Sequence, residues 1–244
     1  MKKHLATFVY AILAGICIGL GGTVFLRVKD LFAGANIVGA LLFSIGLFAI
    51  CTRGYNLFTG KACYLFDNKP DYLITLLVIW LGNLVGTCFL ALVENLTTIC
   101  GTEAGINVTA KAMVEGKMAT GLGSIFLLAC ICNIFIYLAV NGYAKNPHEL
   151  GKYLAIFLGV SIFILCGTEH SIADMYYWAV SGVLFSAPGK SLLYLIVISL
   201  GNVVGGVFFP LMEKLQKKLA AVPICLIAAY IVYGREDKRI KAQA

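Results

Sequence analysis

The spacing of charges along this chain constrains its fold more than any other feature. Uncharged apolar stretches at 5–26, 72–93, 118–144 and 191–212 each fit one membrane crossing, because a helix needs ~20 apolar residues to cover the hydrocarbon core. Two other stretches, 31–66 and 153–189, are too long for one crossing and too short for two. Polar residues interrupt both: Arg53 to Lys61 ("RGYNLFTGK") in the first and Glu169 to Asp174 ("EHSIAD") in the second.

The order is full, broken, full, and then the same again. This predicts an all-α integral membrane protein with six transmembrane helices in a three-plus-three repeat, helices 2 and 5 being broken. Short echoes support the repeat. "LAGICIG" at 13–19 matches "LACICNI" at 128–134, and "GNLVG" at 82–86 matches "GNVVGG" at 201–206. Three crossings per copy is odd, so the second copy enters from the opposite face. Broken helices at corresponding positions of inverted repeats point to a transport site.

Composition agrees. The chain is 60% hydrophobic and 13% charged, with a mean hydropathy of +0.91, whereas soluble domains carry about 25% charged residues. The net charge of +7 does not indicate nucleic acid, because seven of the 19 Lys and Arg follow position 212 and most others flank apolar segments. Such flanking charge sets orientation. With the N-terminus cytoplasmic, twelve basic residues fall inside and five outside, so both termini are expected in the cytoplasm, at the cell (inner or plasma) membrane. The basic start followed by 5–26 is read as the first span and not as a removed leader. The nine cysteines are odd in number, lie mostly in apolar segments and show no metal spacing, so they read as small hydrophobes. Two regions are expected: a channel domain over 1–218, and 219–244 as an apolar segment with a basic tail. Residues 219–234 are short for a span and include Pro223, which favours an interfacial or packed helix over a seventh crossing.

The breaks carry the chemistry. Unwound backbone at membrane depth must be buried in protein or line a polar cavity, and an ionisable group there is a functional candidate. His170 is the only histidine in an apolar context. It reads either as a proton-accepting side chain in a pore or as a hydrogen-bonding partner of unwound backbone. Glu169 and Asp174 read chiefly as caps of the half-helix that follows, since acids favour helix N-termini. Thr59, in the other break, is placed to hydrogen-bond His170, orienting the ring and leaving its other nitrogen free.

These residues resemble the formate/nitrite transporter family over about 5–215. "NLFTG" at 56–60 looks like the family's motif at the second-helix break, and "GTEHSIADMYY" at 167–177 looks like its motif at the fifth. "CNIFIYLAV" at 132–140 and "GNVVGG" are similar to two further family motifs. The resemblance implies a homopentamer of aquaporin-like protomers, each with its own pore for small monovalent anions such as formate, nitrite or hydrosulfide. By position it makes His170 the central pore histidine, Thr59 its partner and Lys117 the vestibule lysine. Phe43, Leu47, Leu57 and Phe163 would form the apolar constrictions, and Asn133 and Asn202 would hold the broken loops. Lys61 and Asp174 depart from the family pattern, and would either pair or alter a vestibule's charge.

The residues themselves argue alike. A bare anion crossing Leu and Phe rings would lose several kcal/mol to desolvation. Lys117 would attract the anion to the mouth, and His170 would share a proton so that a weak acid crosses nearly neutral. The leading expectation is therefore an anion channel or proton-linked transporter. Its partners would be the anion, a proton and membrane lipid, with formate first. An aquaporin-like neutral-solute channel is the alternative. An intramembrane enzyme ranks lower, for no nucleophile motif, metal pattern or cofactor loop is present.

Overall fold

The computed structural model describes residues 2–32 and 34–220, and these are all-helical. The first elements are α1 (Lys2–Leu31), α2 (Asn36–Phe43), α3 (Ile45–Arg53), the short α4 (Phe58–Ala62) and a single 3₁₀ turn (Leu65–Asp67). They are followed by α5 (Tyr72–Asn95), α6 (Ile106–Ala119), α7 (Leu122–Lys145), α8 (Glu149–Leu165), α9 (Ser171–Val180), α10 (Val183–Ser186) and α11 (Pro188–Ala220). Among the described residues, five stretches are long and apolar enough to cross a membrane: α1, α2–α3 together, α5, α7 and α11. Helix α8 has 17 residues, about 26 Å at 1.5 Å per residue, so it stops short of the ~30 Å hydrocarbon core.

Both breaks use a glycine where the helix ends. Gly54 closes α3 at φ 70° and Gly167 follows α8 at φ 62°. A left-handed residue ends a helix without the Cβ clash other residues meet. Leu57 and His170 are then extended, and each precedes a new half-helix, α4 or α9. Ser44 adds a smaller interruption between α2 and α3, which the sequence pattern had not marked.

Helix α9 is buried along its whole length, from Ser171 to Val180. It packs on α1, α5 and α6. Outward faces are apolar: Leu77, Phe89, Leu127, Leu158 and Leu200 are all exposed. Apolar surface of this extent belongs against lipid or other subunits. Helix α6 had no counterpart among the expected spans. It buries Ile106, Ala110 and Val114, a four-residue spacing that lines one helix face, and it ends beside Lys117. Residues 209–220 belong to a second unit; they are helical and include Pro210. The expected 219–234 segment lies outside the described residues from 221 on, so its packing and the 1–218 boundary remain expectations.

Candidate functional site

Two buried asparagines hold the breaks in the same way. Asn83, on α5, accepts the Phe58 N–H at 2.9 Å through Oδ1, and its Nδ2 donates to the carbonyls of Ala11 at 2.7 Å and Asn56 at 2.9 Å. Asn202, on α11, accepts the Ser171 N–H at 2.9 Å and donates to the carbonyls of Ala129 and Glu169, both at 2.8 Å. Each thus accepts from the first N–H of a half-helix and donates to a carbonyl of the break before it, groups that lipid would leave unpaired. Asn133 adds a link between the repeats, donating to the carbonyls of Thr59 at 3.1 Å and Asn202 at 2.6 Å. The role of Asn83 was missed among the expected site residues, although "GNLVG" marked it as the counterpart of Asn202.

The clamps also define the repeat register. Ala11 corresponds to Ala129 and Asn83 to Asn202, offsets of 118 and 119 residues. The "LAGICIG"/"LACICNI" echo, offset by 115, is therefore about one helical turn out of register. A turn's shift keeps small residues on the same helix face, which is why the echo looked convincing.

Between the breaks, Thr59 Oγ1 lies 3.0 Å from His170 Nε2, and both residues are buried. The other ring nitrogen is not free, contrary to expectation: Nδ1 accepts the Ala173 N–H at 3.1 Å, making His170 itself the N-cap of α9. A neutral ring that accepts at Nδ1 carries its proton on Nε2, so Nε2–H donates to Thr59 and leaves the threonine hydroxyl proton to offer elsewhere. The cap position also corrects the reading of Glu169 and Asp174. Glu169 precedes the cap and Asp174 lies inside the first turn, and their side chains turn to Lys117 instead. Phe163 stacks on the His170 ring, with centroids 5.5 Å apart, and meets Phe43 edge-on at 6.2 Å.

A cavity opens on each side of this junction. One, of about 490 Å³, is lined by the end of α1 (Phe25, Lys29), by Lys117 and by Glu169, His170 and Asp174. The other, of about 230 Å³, is lined by Leu47, Leu57, Lys61 and three tyrosines, Tyr55, Tyr64 and Tyr143. The two face opposite ends. Tyr55 in the second packs on Tyr10 near the start of α1, with ring centroids 5.6 Å apart, whereas the first reaches Lys29 near its end.

Lys117 was expected to attract an anion at a pore mouth. It lines the first cavity and is paired with Glu169 and, at 3.0 Å, with Asp174. Lys61 does not pair with Asp174, because the two line opposite cavities. Lys117→Met is expected to be strongly destabilising, since removing one partner of a buried ion pair costs about 3–5 kcal/mol. Thermal unfolding of the purified variant checks this. Unchanged stability would show that the two carboxylates do not depend on the lysine. A third buried acid, Glu94, accepts from Thr23 at 2.5 Å and Tyr176 at 2.7 Å, tying α1, α5 and α9 together. Sequence reasoning assigned it nothing, for it reads as the charged end of a span.

Apolar helices around two breaks that converge from opposite ends, with a cavity on either side of the junction, make this a multi-pass membrane transport protein. More narrowly, the chain belongs to the formate/nitrite transporter family, whose sequence profile matches residues 1–214. It is 27% identical over 240 residues to the formate channel FocA of Haemophilus influenzae, covering 84% of each chain. It is 29% identical over 233 residues to the nitrite transporter NirC of Escherichia coli, covering 85% of this chain and 82% of that one. Among solved structures it resembles a pentameric formate channel with formate bound, at a TM-score of 0.77 and 26% identity, covering 89% of this chain and 98% of the other.

Proposed function

We propose that the protein is a homopentameric channel in which every protomer conducts a small monovalent anion, formate first, with nitrite and hydrosulfide as the nearest alternatives. Transport is linked to a proton through His170. Each protomer has six crossings as an inverted three-plus-three repeat in an aquaporin-like arrangement, α8 and α9 forming the fifth, and both termini are cytoplasmic. The observation that carries this reading is the Thr59–His170 hydrogen bond between two cavities. Apolar Phe43, Leu47, Leu57 and Phe163 lie buried around it.

A dry apolar ring penalises a full charge. The threonine hydroxyl, oriented by Nε2–H, offers the crossing anion one hydrogen bond where no water remains. A cationic ring would present a second N–H at Nδ1 toward the Ala173 N–H, so protonation requires His170 to leave its cap. Proton uptake at His170 is thereby coupled to the start of α9. An anion beside the ring favours that uptake, and the pair crosses with little net charge.

Flux into proteoliposomes separates the possibilities. Formate, nitrite or hydrosulfide should cross faster than glycerol, and with uptake of a proton. Glycerol flux without anion flux would sink the anion reading. Thr59→Val keeps the shape and removes the hydroxyl, leaving a buried Nε2–H unpaired at a cost of about 1–3 kcal/mol. The variant is expected to assemble normally but to lose about tenfold or more in flux, since 1.4 kcal/mol is a factor of ten. Wild-type flux in that variant would remove Thr59 from the pathway.

A further inference from the structure

Lys61 and Asp174, two of the residues that depart from the family pattern, turn out to be counterparts. Counting from the N–H groups clamped by Asn83 and Asn202, Phe58 and Ser171 open their half-helices. Lys61 and Asp174 are then the fourth residue of each. The inverted repeat puts one in each cavity, facing opposite ends of the pore. Their charges are opposite, and so are their surroundings.

Asp174 is 1% exposed and adds a second carboxylate to Lys117, which Glu169 already holds. Asp174 Oδ2 has no hydrogen-bond partner. Among the described residues, Lys29 is the remaining charged group lining this cavity. Two lysines thus face two carboxylates, and both carboxylates hold Lys117. The other cavity has, among the described residues, a single charged lining residue, Lys61. Among the described residues no carboxylate forms an ion pair with it. Its walls include Leu47, Ile50 and Leu57 with the tyrosines Tyr55, Tyr64 and Tyr143. A lone ammonium in a small, partly apolar chamber beside an apolar ring attracts a small anion and gives it a first resting place before dehydration.

We propose that Lys61 makes the cavity at the N-terminal end an anion-binding site, and that the pore is charge-asymmetric, capturing small carboxylates more readily from that end than from the Lys117 end. This rests on the anion-channel reading. With the N-terminus cytoplasmic, the loading side is the cytoplasm, which suits release of a metabolic acid anion. A passive pore cannot move its equilibrium. The asymmetry therefore shows in half-saturation and in rates at low concentration, not in the final distribution.

The test is initial formate flux in right-side-out and inside-out vesicles carrying the full chain. Attraction by one partly exposed charge at contact is worth about 1 kcal/mol or more, so half-saturation should be about fivefold or more lower from the Lys61 end. Raising ionic strength should shrink the difference, because exposed charges are screened. Lys61→Met should abolish the difference by weakening capture from the Lys61 end alone, and Lys61→Arg should retain it. Asp174→Asn should release Lys117 from one partner and lower half-saturation from the opposite end. Equal half-saturations from both ends in the wild type, or an asymmetry that survives high salt or Lys61→Met, would overturn the proposal. Absence of formate, nitrite and hydrosulfide flux in the wild type would instead overturn the channel reading, and the asymmetry with it.

Discussion

His170→Asn is expected to abolish the pH dependence of weak-acid transport while leaving the fold intact. The substitution preserves the cap because of what the ring does in the structure. Asparagine is a favoured N-cap, so its Oδ1 can accept the Ala173 N–H as Nδ1 does at 3.1 Å. Its Nδ2 stops about one bond short of Nε2, which meets Thr59 at 3.0 Å, so the Thr59 hydrogen bond goes with the titratable proton. Thr59→Val, which loses the same bond and keeps the proton, is the control. A rate that follows one protonation changes by up to about tenfold per pH unit, and the informative range is about pH 5–8, where histidine responds. The wild type should show that dependence. The variant should be flat, either blocked or leaking as a plain anion pore. Overlapping profiles for the two would reduce His170 to the cap of α9.

An effect on stability as large as that of Lys117→Met is expected from Asn202→Ala. That change leaves the Ser171 N–H and the Glu169 carbonyl unpartnered in a site where Asn202 is fully buried. It also leaves a cavity beside Ala129. Each abandoned buried group costs about 1–3 kcal/mol, so a loss of about 3–5 kcal/mol is expected, in the exceptional range for one residue. Thermal unfolding in detergent, with Asn68→Ala as the comparison, measures it. Among the described residues, Asn68 bonds the Tyr64 carbonyl, and it is exposed. If the two variants unfold alike, something other than Asn202 holds the second break. Asn83→Ala should behave as Asn202→Ala does, because its three hydrogen bonds have the same partners in the other repeat.

The "GNLVG" and "GNVVGG" echo shows why this much was legible. Gly86 and Gly205 sit against the backbones of α1 and α7, where a Cβ would collide with the carbonyls of Ile12 and Cys130. That close approach brings Asn83 and Asn202 within reach of the breaks. Close helix crossings at small residues and buried polar clamps are demands the membrane imposes locally, so they leave a mark in local sequence. Helix α6 left a weaker one. Its single buried face of Ile106, Ala110 and Val114 lies among polar residues, and no uncharged run announces it.

By itself the sequence determined the apolar spans, the two interruptions and the residue types at each, because lipid exposure and unsatisfied backbone act on short contiguous segments. Only the tertiary structure decided what those residues face. It joined Lys117 to Glu169 and Asp174 across 52 and 57 positions of chain. It placed Lys61 in the opposite cavity and turned the second nitrogen of His170 into a helix cap. Pairing of charges depends on distances of a few ångströms between distant segments, and spacing along a chain does not encode that distance.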